Sequence, residues 1–71
     1  MTLATLNYIH SLLEREEEAR RNAKKLAVQS RDQAEEEGTD NVPALRELVE
    51  KARASWIEAD NALRDFEARE W

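Results

Sequence analysis

The chain has 71 residues, no cysteine, one glycine, one proline, 38% charged residues and a formal net charge of -5. That bounds it to a single domain and excludes a disulfide framework and a thiolate zinc site, the usual supports of a small fold. Eleven of its twenty-nine hydrophobic residues are alanine, so the expectation is a thin core completed by association with another chain.

Glu, Arg, Ala and Leu dominate, with few β-branched residues, which is the composition of long helices and predicts an all-α fold. Residues 1–13 lack the basic leader and small-residue cleavage site of a secretory signal. No apolar run approaches the roughly 20 residues that span a bilayer. The expectation is a cytoplasmic protein with no membrane partner.

Residues 2–37 contain no breaker and predict one helix. Leu6, Ile9, Leu13, Glu16, Arg20, Ala23, Ala27, Ser30 and Ala34 form its candidate seam at alternating three- and four-residue steps, polar in the middle. Residues 38–42 are the turn. Gly38 suits the left-handed position after a helix, Asp40 or Asn41 can cap the next one, and Pro43 falls in its first turn.

Residues 43–70 predict a second helix with a cleaner seam of Leu45, Val49, Ala52, Trp56, Ala59, Leu63, Phe66 and Glu70. So short a linker makes the two helices antiparallel, a single helical hairpin over residues 1–71. Folding at the turn pairs positions whose numbers sum to about 79 or 80. Trp56 then faces Ala23, Ala52 faces Ala27, Leu45 faces Ala34 and Phe66 faces Leu13. The same register sets Arg20 beside Asp60 and Glu16 beside Arg64. Leu3, Leu6, Ile9, Leu13, Phe66 and Trp71 are expected to clamp the open end. Five acid-before-base pairs at four-residue spacing support the helices: Glu16–Arg20, Glu17–Arg21, Glu47–Lys51, Asp60–Arg64 and Asp65–Arg69.

At about 100° per residue, apolar character spills off the seam on one side only. Tyr8, Leu12, Ala19 and Leu26 from the first helix, with Ala44, Leu48, Ser55 and Ala62 from the second, predict a partner interface. Two copies joined there would make a dimeric four-helix bundle, although a different protein partner fits the same face. The other side carries Arg21, Lys24, Arg31, Arg46, Arg53 and Arg64, a candidate nucleic-acid face. Against that use stand the net charge of -5, the interleaved Glu17 and Glu67, and the lack of aromatics among the basic residues.

Catalytic, metal and cofactor sites are not expected. The lone His10 is placed away from the seam and makes, with Glu14, half a metal site. Di-iron four-helix carboxylate sites need Glu-x-x-His, and no glutamate stands three residues before His10. The runs Glu16–Glu18 and Glu35–Glu37 read as solvated faces, and there is no Gly-rich phosphate loop.

The segments Tyr8-Ile9-His10-Ser11-Leu12-Leu13-Glu14 and Asp65-Phe66-Glu67-Ala68-Arg69-Glu70-Trp71 resemble small uncharacterised helical proteins of phage and mobile elements. The resemblance covers mainly the termini and implies an accessory protein without a transferable activity. The expected function is a non-enzymatic interaction or assembly module. The alternative is a small regulator that binds nucleic acid through the arginine side, or blocks a nucleic-acid-binding protein by acidic mimicry.

Overall fold

The computed structural model describes residues 2–69, which form two α-helices and no strand: α1, Leu3–Glu37, and α2, Val42–Ala68. They lie against each other as a hairpin 54 Å long and 15 × 12 Å across. Thr2 caps α1, its hydroxyl accepting from the Thr5 N–H at 3.2 Å. Gly38 ends it at φ 69°, in the left-handed region that a side chain resists. The Gly38 and Thr39 N–H groups both return to the Ala34 carbonyl, so the last turn keeps its partners. Asn41 precedes α2 but its side chain does not cap the helix. It accepts instead from the Thr39 hydroxyl at 2.5 Å, tying the turn to itself. Neither helix has an acid in its first turn or a base in its last. The antiparallel neighbour is therefore what opposes each helix dipole.

The core is narrow. Among the described residues Val49, 1% exposed, is its only large fully buried side chain, and Ala27, Ala34 and Ala59 complete the buried set. Leu13, Leu45, Ala52, Trp56, Leu63 and Phe66 are half-buried along the same seam. The α2 stripe is the one read from the sequence as far as Phe66; Glu70 and Trp71 lie outside the described residues.

The α1 stripe differs. Its half-buried and buried positions run Leu6, His10, Leu13, Glu17, Arg20, Lys24, Ala27, Arg31 and Ala34, with Ile9 beside them, while Glu16, Ala23 and Ser30 are exposed. The helix is thus turned so that alternate seam positions are His10, Glu17, Lys24 and Arg31. Trp56 explains the turn. Its Nε1 donates to the Glu17 carboxylate at 3.2 Å, and the Lys24 ammonium lies 4.4 Å from its ring centre. An indole over Ala23 would bury one methyl, about 0.8 kcal/mol, and leave the N–H without an acceptor. A hydrogen bond and a cation–π contact, each about 1 kcal/mol, outweigh that.

The open end shows the same preference. His10 lies across the hairpin, stacked on Phe66 at 5.9 Å between ring centres and 15° between planes, and not away from the seam. Its Nδ1 meets Glu14 at 3.0 Å and its Nε2 meets Glu67 at 3.1 Å. Leu3 is exposed, and the Trp71 side of the expected clamp lies outside the described residues. Partners across the hairpin sum to 81 for Glu35–Arg46, 80 for Lys24–Trp56 and 76 for His10–Phe66, bracketing the expected register.

Two substitutions test this account. Val49→Ala should lower stability by about 2 kcal/mol through lost burial and the cavity left behind. Gly38→Ala should cost about 1 to 2 kcal/mol although a Cβ there meets nothing within 4 Å, because the cost lies in the positive φ. Thermal melts followed by circular dichroism at one protein concentration measure both; an unchanged midpoint for Gly38→Ala would show that α1 ends in another way.

Candidate functional site

The side of the hairpin predicted as a partner interface is uncovered. Tyr8 is 65%, Leu26 64%, Leu48 50% and Leu12 44% exposed, and Ala19, Ala44 and Ala62 are exposed with them. Ala23, expected in the hairpin seam, joins this surface, because the rotation that brings Lys24 under Trp56 turns Ala23 outward. Leu12, Ala19, Ala23 and Leu26 follow one another at seven-, four- and three-residue steps, a single ridge along α1. Large side chains stand toward the two ends and alanines in the middle.

Arg20 crosses the centre of this surface, reaching α2 beside the ridge. Its Nε and Nη2 bond Glu16 at 2.6 Å, its Nη1 donates to the Ser55 backbone carbonyl at 3.1 Å, and Nη1 lies 4.0 Å from Glu58. It does not meet Asp60, which pairs with Arg64 on its own helix at 2.9 Å, nor does Glu16 reach Arg64. The expected cross-hairpin pairs are therefore replaced by one guanidinium bridging α1 to an α2 carbonyl. The small side chain of Ser55 exposes that carbonyl, a signal present in the sequence but too general to find the contact.

The opposite side is less uniformly basic than its row of arginines. Arg21 pairs with Glu17 at 3.3 Å, Arg46 with Glu35 at 3.0 Å and Arg64 with Asp60 at 2.9 Å. Arg31 is held by the adjacent Asp32 at 3.0 Å and Lys24 by the Trp56 ring. Only Arg53 of the six predicted residues has no such contact among the described residues. The acidic runs supply two of these partners, Glu17 and Glu35; of their other members, Glu16 pairs with Arg20 and Glu37 accepts from Gln33 at 3.2 Å.

No group of three metal-ligating side chains comes together among the described residues. The two carboxylates at His10 engage opposite ring nitrogens, so they brace the imidazole and do not form a chelate with it. No described helix is long and apolar enough to cross a membrane.

The Arg20 geometry generates a coupling prediction. A double-mutant cycle of Arg20→Met with Glu16→Gln should give about 0.5 kcal/mol, as for a partly exposed four-residue pair, whereas Arg20→Met with Asp60→Asn should give none. Coupling to Asp60 alone would restore the register read from the sequence.

Comparison with family models, with curated proteins and with solved structures gives no match for this chain.

Proposed function

We propose that the protein is a non-enzymatic helical assembly module whose open apolar face binds a second copy of the chain, giving an antiparallel four-helix bundle. The observation that carries this is the surface the hairpin leaves in water. It exposes 5431 Å², against roughly 4600 Å² for a folded monomer of 8.3 kDa. The excess is about what one partner contributes to a standard interface, roughly 800 Å². Its radius of gyration, 16.3 Å, likewise exceeds the roughly 11 Å of a compact chain of this length.

A second copy suits the face better than an arbitrary partner for a geometric reason. With a two-fold axis parallel to the hairpin, α1 of one copy lies antiparallel on α2 of the other, and residues level across the hairpin are level across the dimer. Arg20 and Glu58, 4.0 Å apart within one hairpin, then also face each other between copies. The alanines at 19, 23 and 62 let the backbones approach, and Tyr8, Leu12, Leu26 and Leu48 close the two ends of the interface. The resemblance of the chain's ends to small phage and mobile-element proteins agrees with an accessory role of this kind.

Sedimentation equilibrium at about 100 µM tests the proposal. The expected mass is twice 8.3 kDa. Leu26→Glu with Leu48→Glu should return it to the monomer value, because each substitution sets a charge into the apolar contact. Both positions are exposed in the hairpin, so the helical circular dichroism should survive in the variant. A monomeric mass for the unaltered chain at this concentration overturns the proposal.

A further inference from the structure

The basic side holds a second feature, independent of the open face. Seven of the eleven lysines and arginines pair with a carboxylate among the described residues: Arg20, Arg21, Arg31, Arg46, Lys51, Arg64 and Arg69. Three of the other four, Lys24, Lys25 and Arg53, gather around one open depression of about 360 Å³. Its remaining lining is Val28, Gln29 and Arg31, with no acid. Elsewhere on this surface cations and carboxylates alternate and neutralise each other. Here positive charge is left over.

The arrangement is held on both sides. Lys24 is fixed by the Trp56 ring 4.4 Å from its ammonium, a contact that positions the charge without neutralising it. Asp32 takes Nε and Nη2 of Arg31 at 3.2 and 3.0 Å, leaving Nη1 as a further donor. Arg53 reaches the depression from α2, and Lys24, Lys25, Gln29 and Arg31 from α1. Every polar group in the lining except the Gln29 carbonyl and the backbone is a donor. The net charge of -5 does not cancel this locally, since exposed charges are screened beyond about 8 Å at physiological salt.

We infer that this depression binds consecutive phosphate groups, through Lys24, Lys25, Arg31 and Arg53, with Val28 as its apolar floor. A site this open selects by charge and by the spacing of donors, so its ligand is a short run of phosphates. That run is supplied either by a free polyphosphate, nucleotides included, or by the backbone of a single nucleic-acid strand.

Titration of the intrinsic fluorescence, to which Trp56 and Trp71 both contribute, with inorganic tripolyphosphate, and anisotropy of a labelled single-stranded oligonucleotide, test the inference on the full chain at 50 mM and 200 mM salt. Binding of tripolyphosphate, weakened as salt rises, is the expected result. Tighter binding of the oligonucleotide, competed by tripolyphosphate, identifies the strand as the source, and binding of tripolyphosphate without the oligonucleotide identifies the free anion. With about three phosphates contacted, the logarithm of strand affinity should fall with that of salt at a slope of roughly -2. Lys25→Glu with Arg53→Glu should weaken binding about tenfold or more. Lys51→Glu with Arg69→Glu, the same change in net charge at exposed pairs outside the depression, should leave it within twofold. The monomeric Leu26→Glu, Leu48→Glu variant should bind as the unaltered chain does, which separates this site from self-association. Circular dichroism of each variant shows that the hairpin is retained. Failure of both ligands at 50 mM salt, or equal weakening by the two charge-reversal pairs, overturns the inference.

Discussion

The demand of one indole ring organises this hairpin. Trp56 stands in the middle of α2, where α1 has no large apolar residue to set against it, only glutamate, arginine, lysine and alanine. Its N–H requires an acceptor and its π-face attracts a cation, and Glu17 and Lys24 provide them. Meeting both turns α1 about its axis. From that rotation follow the outward position of Ala23, the inward positions of His10 and Arg31, and the bridge from Arg20 to the Ser55 carbonyl.

The same rotation sorts the two long surfaces. One side gains Ala23 on its apolar ridge, with Arg20 crossing beside it to α2. On the other, Lys24 and Arg31 are half-buried, the Lys24 ammonium lying over the Trp56 ring and the Arg31 guanidinium on Asp32. A core of one valine and three alanines is small for two helices of this length. The Glu47–Lys51 and Asp65–Arg69 pairs join side chains that are largely exposed and add little. The contact between the two helices is therefore shallow.

The parts legible in the sequence were those governed by one strong local rule. Gly38 marked the end of α1 because only the left-handed conformation closes that turn cheaply, and the α2 stripe stood out because its apolar residues repeat without interruption as far as Phe66. All five acid-before-base pairs form, since four-residue spacing alone brings them together. On α1 two stripes share Leu6, Leu13, Arg20, Ala27 and Ala34 and differ only at alternate positions. Hydrophobic counting prefers Ile9, Ala23 and Ser30 to His10, Lys24 and Arg31, because it gives no weight to methylene stems or to aromatic partners. The Arg20–Asp60 pairing failed for a related reason. A backbone carbonyl beside a serine competes for the guanidinium, and carbonyls carry no signature in a sequence. The open face was legible as a set of apolar residues off the seam, whereas the depression lined by Lys24, Lys25 and Arg53 was not, because it depends on which cations the neighbouring acids leave unpaired.

The separation of contacts along the chain bears on how the hairpin is made. Next to the turn, Glu35 and Arg46 are 11 residues apart, whereas His10 and Glu67 at the open end are 57 apart. Loop closure favours the near contacts, so the two helices zip together from Gly38 outward. During synthesis the order is harsher still: His10 waits for almost the whole chain before its partner exists. Over that interval the N-terminal half of α1 has no α2 beside it. Its alanines and its Glu16–Arg20 and Glu17–Arg21 pairs, modest contributors to the finished structure, matter most to this unaccompanied helix.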